Sequence, residues 1–202
     1  MLTDLPNLLT LSRIAAIPVL VMLVALQRPL GDAAACLLFI AAGITDYLDG
    51  RIARSRRQFS DLGRMLDPIA DKLLIGASLM VLAGFDRLPL WGLYPAIVIL
   101  LREILVSGLR EYLAGRRVSL PVTRLAKWKT TFQMGALGVL LAGDSTARLL
   151  GIGWLPVGVI GAVMLWLAAI LTLVTGWDYV VTGLRHVGGP SNRPASPGQV
   201  LP

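Results

Sequence analysis

Histidine and cysteine are almost absent from this chain. Among 202 residues there is one of each, Cys36 and His186. A lone cysteine forms no intrachain disulfide, and a site built on imidazole or thiolate ligands has too few donors. Charge is scarce too: 15% of residues are Asp, Glu, Lys or Arg, against roughly 25% in a soluble domain. No Lys or Arg precedes Arg13, and Asp4 sits where a cleavable signal would carry its basic segment. The first apolar run is therefore expected to stay as a helix.

Apolar residues make up 55% of the chain, the mean hydropathy is +0.72, and the apolar residues come in blocks. That pattern predicts a multi-spanning membrane protein. The formal net charge is +7, but the basic residues lie between apolar blocks. This points to anionic headgroups and phosphate-bearing substrates, and away from nucleic acid.

The predicted class is an all-α integral membrane protein with six transmembrane helices. They run over about 8–27, 32–54, 64–85, 89–115, 125–143 and 154–181. One membrane domain is expected over 1–188, with a disordered tail of Gly, Pro, Ser and Asn over 189–202. The second and third helices are charge-free only over 33–45 and 73–85, too short to cross a bilayer that needs about 20 residues. Both must continue into their charged ends. The segments 51–64 and 110–129 hold most of the Lys and Arg, while the opposite loops hold only Arg28, Arg87 and Arg148. The positive-inside rule puts the two basic loops and both termini in the cytoplasm, with the chain in the inner (cytoplasmic) membrane.

Four aspartates stand out against this background: Asp46-x2-Asp49-Gly50-x2-Ala53-Arg54, eight further residues, then Gly63-x3-Asp67-x3-Asp71. Ionisable groups in membrane helices persist where they pair, bind ions or do chemistry. Spacings of three and four put Asp46 with Asp49, and Asp67 with Asp71, on single helix faces. Two such pairs form an oxygen cage suited to hard divalent cations. A carboxylate-held metal pair suits phosphoryl-type transfer, because metals clamp phosphate oxygens and offset their charge. Gly50 and Gly63 leave room for a ligand or a neighbouring helix, and Arg54 can pair with a phosphate. A carboxylate such as Asp71 beside the metals can take a proton from an attacking hydroxyl.

This motif resembles the signature of the CDP-alcohol phosphatidyltransferases at every defining position. The resemblance implies a six-helix fold, usually homodimeric, with its active site at the cytoplasmic interface. It implies two divalent metal ions, Mg²⁺ or Mn²⁺, on Asp46, Asp49 and Asp67, with Asp71 as general base and further ligand. Asp49, Gly50, Arg54, Ser60 and Gly63 would contact the CDP group. The stretch Pro6-Asn7-Leu8-Leu9-Thr10-x2-Arg13 is similar to the family's N-terminal element that helps hold the cytidine diphosphate, through Asn7 and Thr10. Arg102-Glu103-Ile104, Ser107-Gly108-Leu109-Arg110-Glu111 and Lys127-x-Lys129-Thr130-Thr131-x-Gln133 resemble the phosphatidylglycerophosphate synthase branch. In that branch the donor is CDP-diacylglycerol and the acceptor sn-glycerol 3-phosphate.

Blander readings stand beside these. Asp61 falls off the spacing and reads as solvated. Arg102 and Glu103 could be an ion pair within a helix, or Arg102 could join Arg110, Lys127 and Lys129 around the acceptor phosphate. Lys72 could simply balance the carboxylates. Trp91, Trp154, Trp177 and Trp128 sit near helix ends as interfacial anchors, and Trp166 reads as packing. Inositol phosphate, serine or phosphatidylglycerol are alternative acceptors. A divalent-cation transporter is the rival from another class, disfavoured because the aspartates gather at one interface and do not cross the membrane.

Overall fold

The computed structural model describes residues 5–56, 61–115 and 124–187, and the regular structure among them is all helix. Six helices follow in order: α1 Leu5–Ala25, α2 Pro29–Arg56, α3 Asp61–Gly84, α4 Leu93–Gly115, α5 Arg124–Leu149 and α6 Val157–Val187. The shortest has 21 residues and the longest 31. At 1.5 Å per residue even the shortest extends about 30 Å, the thickness of a bilayer's hydrocarbon core. Among the described residues three stretches are both long and apolar enough to cross a membrane: Asn7–Ala25, Pro29–Leu48 and Val157–Val181. α2 carries most of its charge beyond Leu48, whereas α3, α4 and α5 are interrupted by charged residues such as Asp71, Arg102 and Lys129.

All six helices nonetheless share one core. Leu20, Phe39, Leu82, Ile99, Leu140 and Leu165, one from each helix, are buried in the same cluster. Apolar side chains also cover the outside: Met22, Leu37, Met80, Leu101, Ile170 and Leu173 are exposed. An apolar exterior of this extent is what a lipid-facing surface requires. The packing order is α1 on α2 and α3, α2 on α5, α5 on α6, and α6 on α4.

Several helix ends differ from the sequence reading. α4 starts at Leu93 and not at 89, because Leu90 and Trp91 adopt positive φ of 54° and 58° in the preceding turn. Trp166 donates its indole N–H to the Leu90 carbonyl at 3.0 Å, so it ties α6 to this turn as well as packing. α5 does not stop at Gly143. Gly143 takes φ 61° and ψ 178°, the chain kinks, and the helix resumes to Leu149. Glycine meets no steric penalty there. α6 runs past 181 to Val187. The expected tail over 189–202 lies outside the described residues.

The kink has a purpose in packing. It lets Ser145 donate a hydrogen bond to Asp32 Oδ2 at 2.5 Å. Asp32 is in the first turn of α2, where the helix dipole favours an acid, and is 2% exposed. Its other oxygen accepts from Arg87 Nη1 at 2.6 Å. One buried carboxylate thus joins the start of α2, the α3–α4 connection and the end of α5. Breaking a buried ion pair from one side strands the other charge, at about 3–5 kcal/mol. Arg87→Ala is expected to destabilise the protein by that amount, and Ser145→Ala by about 1–3 kcal/mol. Thermal unfolding in detergent measures both, and an unchanged midpoint for Arg87→Ala would mean the pair adds nothing.

Candidate active site

α1 carries a polar stripe in an otherwise apolar helix. Asn7, Thr10 and Arg13 recur every third residue, share one face, and are only 2%, 3% and 1% exposed. A buried guanidinium needs acceptors, and α2 and α3 supply them. Arg13 Nη1 donates to Asp46 Oδ1 at 2.5 Å and to Asp71 Oδ1 at 2.6 Å, and Nη2 donates to Asp67 Oδ1 at 2.5 Å. Nη2 also lies 3.5 Å from Thr10 Oγ1. The planar fork of arginine suits such multiple pairing, which a lysine cannot reproduce. The carboxylates are 39% exposed at Asp46 and 45% at Asp67 and Asp71, so the cation is inside and the acids face outward.

Three of the four expected aspartates therefore meet, together with Thr10 one turn before Arg13. Asp49, Gly50 and Arg54 belong to α2, but their side-chain surroundings lie outside the described residues, as does Ser60 altogether. Gly63 is in the first turn of α3, one turn before Asp67 and on the same face. The resemblance put Arg13 in the N-terminal element of the nucleotide site, and in the structure its guanidinium lies between three carboxylates. The threefold spacing of Asn7, Thr10 and Arg13 in an apolar helix was the available signal.

Next to the cluster opens a cavity of about 970 Å³, walled by residues from α2 to α6. Arg102, Arg110, Lys127 and Lys129 all line it. So does Asp71, which thus belongs both to the carboxylate cluster and to the cavity wall. The four cations are of two kinds. Lys129 is 6% exposed and bonded to Glu103, and Arg102 lies 3.5 Å from the same carboxylate. Arg102 also donates to Thr175 Oγ1 at 3.0 Å and stacks over the Tyr179 ring at 5.6 Å. Gly176 leaves space for it, since a Cβ there would come within 3.1 Å of its chain. Arg110 and Lys127 are exposed at the cavity wall and form no ion pair among the described residues. Of the two readings the sequence offered for Arg102 and Glu103, the ion pair exists, and Arg102 also lines the cavity together with Arg110, Lys127 and Lys129. Its stronger bond, from Lys129, was not foreseen. Lys72 donates to the Pro68 carbonyl at 2.9 Å and also lines the cavity.

The donor set fits a hard divalent cation. It is all oxygen, and three carboxylates already converge on one positive charge. That charge is the Arg13 guanidinium here, and among the described residues no group of three ligating side chains has metal-holding geometry.

A family model described as CDP-alcohol phosphatidyltransferase matches residues 3–174. The chain belongs to the CDP-alcohol phosphatidyltransferase family. Its relatives include a protein of Rickettsia typhi, 45% identical over 87% of this chain and 94% of the relative. Others come from Cereibacter sphaeroides, 40% identical over 91% of this chain and 97% of the relative, and from Bacillus subtilis, 36% identical over 87% and 93%. All three bear the name CDP-diacylglycerol–glycerol-3-phosphate 3-phosphatidyltransferase. The family match covers the four-aspartate motif, the polar stripe of α1 and the cations of the cavity.

Arg13 gives this phosphatidyltransferase-family site a test of its own. Arg13→Lys keeps the charge but cannot span three carboxylates. Losing one charge-assisted hydrogen bond costs about 1.5–3 kcal/mol, so turnover by this variant is expected to fall roughly 10- to 150-fold. Asp61→Asn, outside the spacing, is expected to retain most turnover. A fully active Arg13→Lys enzyme would show that the fork geometry is dispensable.

Proposed function

We propose that this chain transfers the phosphatidyl group of CDP-diacylglycerol to sn-glycerol 3-phosphate, giving phosphatidylglycerophosphate and CMP. The observation that carries the reading is the double membership of Asp71, which joins the carboxylate cluster to a cavity walled by cations. The names of the relatives agree with it.

In this reading Asp46, Asp49, Asp67 and Asp71 hold two divalent ions, Mg²⁺ or Mn²⁺. Bound there, the ions offset the charge of the diphosphate and of the departing CMP. Asn7, Thr10, Asp49, Gly50, Arg54, Ser60 and Gly63 hold the CDP group. Arg102, Arg110, Lys127 and Lys129 hold the acceptor phosphate in the cavity. Asp71 takes the proton of the acceptor hydroxyl. The freed oxygen attacks the phosphorus that carries diacylglycerol, the bond from that phosphorus to the CMP oxygen breaks, and CMP departs. The six helices all cross the inner membrane as part of a homodimer, with both termini and the site at the cytoplasmic face. That placement suits the substrates, since diacylglycerol needs lipid while glycerol phosphate arrives from the cytosol.

The deciding assay offers purified protein CDP-diacylglycerol and a panel of acceptor alcohols, with the lipid products identified by mass. Glycerol 3-phosphate should give phosphatidylglycerophosphate and CMP. Chelation should abolish turnover, and Mg²⁺ or Mn²⁺ should restore it. Full turnover in metal-free buffer would remove the metal mechanism, and preference for serine, an inositol phosphate or phosphatidylglycerol would change the acceptor. No CMP release at all would favour a transporter.

Acceptor binding has a separate test at Arg110 and Lys127, which are exposed and form no ion pair among the described residues, although Arg110 also lies over the Tyr179 ring at 5.6 Å. Arg110→Ala is expected to raise the KM for glycerol 3-phosphate about 10- to 150-fold, the loss of one charge-assisted hydrogen bond. The KM for CDP-diacylglycerol should hardly move. Saturation curves for each substrate decide the matter, and movement of the donor curve alone would place Arg110 with the nucleotide.

Orientation follows from labelling. With Cys36 replaced, a cysteine at Gly115 should resist an impermeant thiol reagent in intact cells, while one at Gly151 should react. The reverse pattern would invert the topology.

A further inference from the structure

One polar group in the cavity has no explanation in the reading above. Gln133 lies on α5, one turn beyond Lys129 and on the same helix face. It is 1% exposed and lines the cavity, yet among the described residues its Oε1 has no hydrogen-bond partner. Buried polar atoms in folded proteins are nearly always paired, and an orphan asks for a reason. The same wall includes Phe39, Ile75 and Met134, whose side chains offer no donor. Thr172 Oγ1 is another such atom but does not line the cavity, and Arg102 Nε, which does, belongs to a guanidinium already engaged by Glu103 and Thr175.

The charged groups of the cavity account for two parts of a glycerol phosphate. The exposed Arg110 and Lys127 suit the phosphate, and Asp71 suits the reacting primary hydroxyl. The secondary hydroxyl at C2 has no partner among them. We propose that Gln133 is a specificity-determining residue that hydrogen-bonds the C2 hydroxyl of the acceptor. An amide serves this role well because it can accept from or donate to a hydroxyl without adding charge beside the phosphate. A site that pairs a substrate hydroxyl rejects the analogue lacking it, since the protein group is then left buried and unpaired. Three-point contact by cation, carboxylate and amide also fixes the hand of the acceptor.

This inference rests on glycerol 3-phosphate being the acceptor, and the test separates the two claims. The probe is 3-hydroxypropyl phosphate, which keeps the phosphate and the primary hydroxyl but lacks the C2 hydroxyl. CMP release is measured with each acceptor for the wild type, Gln133→Leu and the near-isosteric Gln133→Met. Wild-type kcat/KM is expected to favour glycerol 3-phosphate by at least about tenfold. In both variants kcat/KM for glycerol 3-phosphate should fall by at least about tenfold, while the analogue stays within about threefold of wild type. The preference then collapses, and the KM for CDP-diacylglycerol stays put.

A purely structural role for Gln133 would lower both acceptors together and keep their ratio, which overturns the proposal. So does a wild-type enzyme that treats the two acceptors alike, a result that needs no folded variant. In either case, wild-type conversion of glycerol 3-phosphate leaves the proposed function standing. Failure of the wild type to use glycerol 3-phosphate removes both.

Discussion

A single buried guanidinium holds the candidate-site end of this bundle together. Asp46 comes from α2, and Asp67 and Asp71 come from α3, so without a cation their mutual repulsion would push the two helices apart. Arg13 reaches all three from α1. Its own burial would be costly if unpaired, so the cation and the carboxylates each require the other. One positive charge does not balance three negative ones, and the surplus faces outward on half-exposed carboxylates. The fold thereby keeps an anionic oxygen surface open beside the cavity while tying three helices at its back.

α2 connects this cluster to the other polar knot of the molecule. Asp32 is at its start and Asp46 lies fourteen residues later, about 21 Å along the axis. At the Asp32 end, Arg87 and Ser145 fix the helix to the α3–α4 connection and to the end of α5. At the Asp46 end, Arg13 fixes it to α1. Apolar packing between the two knots is non-directional and would tolerate sliding. The ionic pairs fix where α2 stands along its axis, and so where Asp46 stands relative to Asp67 and Asp71.

The helices were legible because blocks of apolar sequence between basic loops are a strong signal, and the aspartate motif was legible because its spacing is so particular. What escaped were effects made by pairing across distant sequence. Asp32 and Arg87 are 55 positions apart, and Arg87 looked like an ordinary loop arginine. The fifth helix was read as ending at Gly143, whereas Asp144 and Ser145 just beyond it are paired with Gly158 and Asp32 and the helix goes on. Arg13 was noticed, but its residue type alone does not reveal that it serves carboxylates. The cations at Arg102, Arg110, Lys127 and Lys129 were grouped by resemblance, and the structure brings them to one wall. It also divides them into a largely buried set paired with Glu103 and an exposed set with no ion pair among the described residues, a division that depends on the position of Glu103.

That division bears on which acceptors the cavity can take. Five Lys or Arg and three Asp or Glu line it, leaving two positive charges. A phosphate monoester carries about −1.5 to −2 at neutral pH, which nearly cancels that surplus. A zwitterionic or neutral alcohol would leave it uncompensated inside a half-enclosed space, where electrostatic interactions are stronger than in water. Without Glu103, Lys129 and Arg102 would raise the surplus further and hold a phosphate more tightly in the ground state. Tighter ground-state binding does not speed the chemical step, and it slows departure of a product that keeps the same phosphate. Glu103 therefore does more than relieve two buried cations. In the proposed reading it brings the formal charge of the cavity close to that of one phosphate monoester, so that Arg110 and Lys127 would bind it and still let the product go.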